Sequence, residues 1–294
     1  ATFGVNPKLI CLNKTGSIVK KTDLSNVFSK IYCLIHYDNK FYLGGYKGTE
    51  ISKKSVLLVL SKEGEIISIK NYELSYISSI FIHNADIFLG WNFYSPGSKS
   101  SAWLIKTDFT GDVNWSKKYQ DYSNSQVSKI TEINDELFLL FYGTTVGAGF
   151  TGFNLMKINS STGNRIKSKE IETGHFEGFE KFDDTFNPLK LISYNKAIFV
   201  SCAGGSFGTG SGIFEFNTEL ELINTINLEG YSKSYVPLDI EIIDSSIFIG
   251  GYIQEEETKK GYIRNIGLKG NLIWHKTIDY YISHSILLVD SFIY

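Results

Sequence analysis

Cysteine is scarce in this chain, at three among 294 residues, and Cys11, Cys33 and Cys202 show no CxxC spacing. That excludes a zinc-ligand set or a disulfide framework as the organising principle. The topology argued below admits a Cys11–Cys33 bridge, and small buried hydrophobes are the alternative reading. Charge of one sign is also missing. The net charge is −2 and no run of five like charges occurs. A nucleic-acid partner is therefore not expected, because phosphate recognition needs a clustered basic field. No apolar stretch has bilayer length, and the longest, SVLLVLS at 55–61, is strand-sized, so no membrane span is expected. Helical periodicity never persists beyond a turn or two. Proline and methionine number 4 and 1, against 18 Tyr, 21 Phe and 27 Gly. Aromatic enrichment favours strands, and scattered glycines favour many tight turns.

What is present is a repeat. A four-residue turn recurs as Asn13-Lys14-Thr15-Gly16, Ser61-Lys62-Glu63-Gly64, Asp108-Phe109-Thr110-Gly111, Ser160-Ser161-Thr162-Gly163, Asn217-Thr218-Glu219-Leu220 and Gly267-Leu268-Lys269-Gly270. Successive starts lie 47 to 57 residues apart. A short polar residue at the first position can bond its own turn backbone, and Gly at the fourth can adopt the left-handed conformation. Leu220 and Gly267 are the two departures. A second hairpin lies between these turns, as in IYCLIHYDNKFYLGG (31–45) and PLDIEIIDSSIFIGG (237–251), with two apolar runs about a polar pair. Each unit therefore holds four short strands, A to D.

Six such units predict an all-β fold, a six-bladed β-propeller with four antiparallel strands per blade. The blades fall near 29–74, 75–121, 125–172, 186–229, 234–280, and 281–294 with 1–25, in one domain over 1–294. The last blade takes strands A and B from the C-terminus and C and D from the N-terminus, closing the ring and removing open edges. A start at Ala1 suits a processed secreted protein, and sequons stand at Asn13, Asn114 and Asn159, the candidate glycosylation sites. Sequons in about this number arise by chance in a chain so rich in Asn, Ser and Thr.

The stretches WLIKTDFTGDVNWSKKY (103–119) and GYIRNIGLKGNLIWHKTI (261–278) resemble the quinoprotein-like (PQQ-like) propeller repeat of secreted and surface proteins. The outer-strand Trp of that repeat has counterparts at Trp115 and Trp274, with Lys20, Ser68, Lys167 and Asn224 at the equivalent positions. The resemblance implies a propeller fold and, in its enzymes, pyrroloquinoline quinone beside a Ca²⁺ ion held by clustered carboxylates and amides. No such cluster can be placed on this sequence, so no cofactor and no metal is expected.

The two ends of the blades differ. The A–B turns are short, read as DN, NA, ND, NK and SS, and the C–D turns are four residues long. The B–C and D–A connections vary, and variable loops on a rigid scaffold are where binding evolves. The largest are GTTVGAGFTG (143–152), GGSFGTGSG (204–212) and ETGHFEGFEKFDDTFN (172–187), all in blades 3 and 4. They supply a candidate ligand-binding set of His175, Phe176, Phe179, Phe182, Asp183, Asp184, Phe150 and Phe207. Tolerated insertion is the bland reading of the same loops. No GK[ST] follows the glycine-rich loops, and Asp183-Asp184 lacks calcium-loop spacing.

A second candidate is the channel. Aligned A strands place Cys33, Ser79, Lys129, Lys190, Asp239 and Ser285 in one column, where Lys129, Lys190 and Asp239 could pair and hold water or a small anion. A polar channel wall that merely holds water is the competing view. His36, His83, His175, His275 and His284 sit in no HExxH or GxSxG motif, so no catalytic residue is assigned. The leading expectation is a non-enzymatic extracellular or cell-surface binding or assembly module using the loop face of blades 3 and 4. Its partner would be a protein, a glycan or another copy of the chain. The alternatives are a carbohydrate-active hydrolase or lyase at that face, and a structural subunit of a surface assembly.

Overall fold

The structure, a computed structural model, describes residues 7–12, 17–49, 52–73, 76–93, 101–119, 126–144, 151–171, 187–203, 211–228, 234–255, 258–278, 288–289 and 292–293. Every regular element among them is a strand. The chain divides into two compact units, Thr2–Ile130 and Thr131–Tyr294.

The first unit opens with a two-stranded sheet, β1 (Lys8–Leu12) and β2 (Ile18–Asp23). A four-stranded sheet follows, β3 (Lys30–Tyr37), β4 (Lys40–Lys47), β5 (Lys54–Ser61) and β6 (Ile66–Tyr72). The next comprises β7 (Tyr76–His83), β8 (Asp86–Phe93), β9 (Ser101–Thr107) and β10 (Val113–Tyr119). Strand β11 (Gln126–Ile133) runs across the division and leads the sheet of β12 (Glu136–Thr144), β13 (Thr151–Asn159) and β14 (Arg165–Ile171). The second unit continues with β15 (Asn187–Tyr194), β16 (Ala197–Ala203), β17 (Gly212–Asn217) and β18 (Leu222–Asn227). It then has β19 (Ser234–Ile243), β20 (Ser246–Glu255), β21 (Thr258–Gly267) and β22 (Leu272–Ile278). A short pair, β23 (Leu288–Val289) and β24 (Phe292–Ile293), comes last.

Each four-stranded sheet is a meander whose strands pair in chain order, giving the expected A to D. Five four-stranded sheets are formed, and the expected joining of the two chain ends into a sixth is not seen. Among the described residues, β1–β2 and β23–β24 are separate two-stranded sheets with no ladder between them.

The turns follow from their residues. All five A–B turns place two consecutive non-glycine residues in the left-handed region: Asp38-Asn39, Asn84-Ala85, Asn134-Asp135, Asn195-Lys196 and Asp244-Ser245. That is a type I′ hairpin, whose twist matches the strands it joins. The last pair is Asp244-Ser245 rather than the Ser-Ser read from the sequence, because Ser246 already pairs with Ile243. In the C–D turns, Gly64, Gly111 and Gly270 donate back to Ser61, Asp108 and Gly267. The third repeat corrects the sequence reading, since Gly163 donates to Asn159 rather than Ser160. Asn159 Oδ1 accepts the N–H groups of Ser161 and Thr162, so the longer amide replaces Ser160 as the turn-former.

The cores lie between successive sheets. SVLLVLS, strand β5, is buried on both faces, with Val56, Leu58 and Leu60 in one cluster beside Leu24 and Phe28. Leu57 and Val59 join a second cluster with Ile77, Leu89 and Trp91 of the next sheet. In the other unit, β16 alternates likewise. Ile198, Val200 and Cys202 face Phe138 and Phe153, whereas Phe199 faces Ile249 and Tyr262. A period of two with both faces covered produces the near-continuous apolar runs seen in the sequence.

Candidate functional site

The A strands carry a recurrent irregularity. In four sheets the A–B register slips by one residue, between Ile31 and Cys33, Ile77 and Ser79, Pro188 and Lys190, and Pro237 and Asp239. Each slip is a β-bulge that leaves Tyr32, Ser78, Leu189 or Leu238 unpaired and bends the strand. The residue after each bulge is a member of the column predicted from sequence. It lies opposite Gly44, Gly90, Ser201 or Gly250. A Cβ on Gly44 would sit 2.6 Å from Ile77 Cγ2 and 2.7 Å from Cys33 Sγ, and one on Gly90 would sit 2.8 Å from Val127 Cγ1. The small residues of LGG and LGW thus let the bent first strand and the next sheet close on the second strand.

Within the second unit the column forms a pair. Lys190 Nζ lies 2.7 Å from Asp239 Oδ1 and 3.6 Å from Glu241 Oε1. Asp239 is buried, and its Oδ1 also accepts Ile240 N–H at 3.1 Å. Burial raises the Glu241 carboxyl above the usual range, opposed by Lys190 and reinforced by Asp239. One ammonium thus stands beside two carboxyl groups on adjacent first strands. Thr131 Oγ1 donates to Ser193 Oγ at 3.0 Å on neighbouring first strands. Lys129 belongs to the other unit, where its charge acts on Cys33. Ser285 lies outside the described residues.

Cys33 and Cys202 are free thiols. Burial pushes Cys33 up to about 12, against smaller lowering from Lys129 and the Gly44 carbonyl, and pushes Cys202 well above the ordinary thiol value. The Cys11–Cys33 bridge is therefore not formed, and both thiols behave as small hydrophobes.

The loop set lies elsewhere. His175, Phe176, Phe179, Phe182, Asp183, Asp184, Phe150 and Phe207 all fall outside the described residues, as does Asn13. Asn114 and Asn159 are exposed. Among the remaining histidines, His36 leans on Phe41 at 5.1 Å, and His275 lies 6.0 Å from Tyr262. His83 Nε2 is 2.6 Å from the Asn84 amide.

On the outer strands, the positions equivalent to the quinoprotein tryptophan reach for the following sheet's C–D turn. Lys20 Nζ bonds Glu65 at 2.8 Å, Lys167 Nζ lies 3.3 Å from Glu219, and Asn224 Nδ2 donates to Leu268 O at 3.3 Å. In the first four-stranded sheet Lys70, two residues beyond Ser68, does this through Asp112 at 2.6 Å. Tyr72 adds a 3.0 Å hydrogen bond to the Gly111 carbonyl. Trp115 and Trp274 instead lean on rings of their own sheets, Phe88 and Phe248.

One constellation escaped the sequence reading. At the connection-bearing end of the first two four-stranded sheets, Tyr32 stacks on Tyr76 with centroids 4.7 Å apart and lies 6.1 Å from Tyr46. Lys30 Nζ sits 4.7 Å from the Tyr32 centroid, and Lys53 Nζ lies 5.0 Å from Tyr46 and 5.8 Å from Tyr76. The Tyr76 hydroxyl is bonded to Asn92 and raised by burial. These residues come from three strands and one connection, so no local motif marks them. The only sequence-level hint was the aromatic Tyr32 beside the polar column.

No family model and no curated protein matches the sequence. Solved structures do. A hydrazine synthase from Kuenenia stuttgartiensis is 12% identical, covering 89% of this chain and 71% of that one, with a TM-score of 0.59. A quinohemoprotein alcohol dehydrogenase from Pseudomonas putida HK5 is 9% identical, covering 98% and 60%, with a TM-score of 0.60. A neuraminidase-like protein of A/bat/Guatemala/164/2009 is 8% identical, covering 81% and 71%, with a TM-score of 0.53. At such identity these likenesses bear on fold alone, and the fold is a β-propeller.

Proposed function

We propose that this chain is a non-enzymatic binding or assembly module of the extracellular space or cell surface. It works at the end of its sheets that carries the B–C and D–A connections, foremost those of blades 3 and 4. One observation supports this reading above the others. Among the described residues the opposite end is consumed by backbone, with type I′ hairpins at the five A–B turns and hydrogen-bonded C–D turns. The connection end holds the longest link between described strands, residues 172–186 between β14 and β15. That segment supplies His175, four phenylalanines and Asp183-Asp184. Proteins and glycans are the partners such a surface suits.

The reading includes a single six-bladed ring, with β23–β24 and β1–β2 forming the last blade. Deleting 1–13 would then lower the melting temperature sharply, and a truncated protein that melts with its parent overturns that closure. The functional test replaces 172–187 with a short Gly-Ser connection. Melting and binding are measured on the same variant, against ligands found in a glycan and metabolite thermal-shift screen. Preserved melting with lost binding supports the proposal; unchanged melting with unchanged binding refutes it.

A further inference from the structure

We infer that Lys30, Tyr32, Tyr46, Lys53 and Tyr76 form a second binding site, for an acidic saccharide. The argument begins with the bulge in β3. It releases Tyr32 from the A–B ladder, and the ring, 39% exposed, is held against Tyr76 rather than buried in a core. In other sheets the corresponding residue is Ser78, Leu189 or Leu238, and Ser78 Oγ spends itself on the Gly90 and Val127 carbonyls. Bulges that re-aim a side chain cluster beside functional sites.

The cations make the second step. Lys20, Lys70 and Lys167 each take a carboxylate of the next turn. Lys53 pairs with no carboxylate among the described residues and lies instead over the Tyr46 and Tyr76 rings. A ring face attracts the charge of an ammonium but does not satisfy its three N–H donors. Among the described residues no carboxylate takes those donors, which leaves them to an anionic oxygen. Lys53 is brought to the rings by a connection with its own scaffolding: Gly48 N–H donates to Ser29 Oγ at 3.0 Å, and Thr49 and Ser52 hydroxyls lie 3.0 Å apart. Gly48 has φ of 113°, and a Cβ there would fall 2.2 Å from Ser52 O, so the connection's path is built for glycine.

An anion alone would not need three tyrosines, and a neutral sugar would not need two lysines. Aromatic edges with hydroxyl tips beside ammonium groups suit a pyranose that bears an acid, whether a uronate carboxylate or a sulfate ester. Calorimetry on the intact chain with polygalacturonate, a heparin-type sulfated oligosaccharide and neutral dextran separates these sources. The expected result is binding of at least one acidic polymer, none of dextran, and an affinity that falls with salt. Lys53→Met, which keeps the stem on the rings, and Tyr32→Leu should each weaken binding at least tenfold at unchanged melting temperature. Lys30→Met is the substitute should either fail to fold. Replacement of 172–187 should leave this binding intact, which keeps the result separate from the blade 3 and 4 reading. Absence of binding to both acidic polymers, equal binding of dextran, or variants that bind like the parent would each overturn the assignment.

Discussion

Replacing Leu220 by glycine would restore the residue found at the fourth turn position in the other described repeats, and a consensus argument predicts stabilisation. The structure predicts the opposite. Leu220 does adopt the left-handed conformation that the glycines use, at φ of 59° against 69° to 84° for Gly64, Gly111, Gly163 and Gly270. A non-glycine residue there costs roughly 1–2 kcal/mol, and glycine would relieve it. The side chain, however, is 1% exposed and packs in the cluster of Phe153, Phe214 and Phe216. Truncating a buried leucine costs about 2–5 kcal/mol. A glycine also gives the unfolded chain more freedom, worth roughly 0.5–1 kcal/mol. The burial term wins, leaving Leu220→Gly destabilised by about 3 kcal/mol. Leu220→Ala keeps the strained backbone and loses nearly the same packing, so it should be less stable than Leu220→Gly. Urea unfolding followed by far-ultraviolet circular dichroism measures both. A glycine variant as stable as the parent, or an alanine variant more stable than the glycine one, would refute this balance of terms.

Gly44→Ala should cost about 1–3 kcal/mol by overpacking, since the new Cβ would meet the buried Ile77 and Cys33 Sγ. Gly45→Ala should cost more in the same denaturation assay, because its Cβ would lie 2.1 Å from the Lys30 carbonyl oxygen and backbone cannot rotate away. Asp112 is held below the usual carboxylate range, first by its hydrogen bond from Lys70, and Asp108 likewise, first by Thr110. Both groups therefore contribute stability that is present above the unfolded carboxylate pKa and is lost as pH falls through their lower folded values. Asp112→Asn should shallow the acid limb of a melting-temperature profile; an unaltered limb refutes the linkage. Cys202, buried, and Cys33, half-buried with its thiol raised to about 12, should resist alkylation at pH 8 in the native protein and react on denaturation, read by peptide mass spectrometry. Native labelling of Cys202, or labelling of Cys33 as fast as in the denatured chain, would contradict this.

Legibility followed sequence distance. The hairpins were readable because a type I′ turn demands residues tolerant of positive φ, and Asp38-Asn39 or Asn134-Asp135 announce it locally. Small errors arose where two adjacent residues could fill one role. Asn159 and Ser160 are both turn-formers, and only the bond from Gly163 decides for the longer side chain. The Lys190–Asp239 pair was readable because strand alignment puts both in one column. Glu241, two residues further on the same face, was not, because alternation alone does not say how far an ammonium reaches. The tyrosine–lysine cluster was invisible for a different reason. Its members stand between 30 and 76, and a bulge, which has no residue signature of its own, turns Tyr32 toward Tyr76.

The outer strands show how one position of the repeat can vary while the four-stranded sheets are kept. The indoles of Trp115 and Trp274 lean on Phe88 and Phe248 of their own sheets, whereas Lys20, Lys167 and Asn224 extend polar arms to carboxylates or a carbonyl of the next turn. Exposed ion pairs of this kind are worth about 0.2–1 kcal/mol each. Either chemistry contributes little beside the clusters between sheets, where Phe138, Phe153, Phe199 and Phe214 are wholly or almost wholly buried. Substitution on the outer strand is therefore cheap. The approach of Ile77 and Val127 to Gly44 and Gly90 is not, because a single methyl there collides with buried neighbours. Packing between the sheets therefore constrains the small residue opposite the bulge, Gly44, Gly90, Ser201 or Gly250, far more tightly than the outer-strand position.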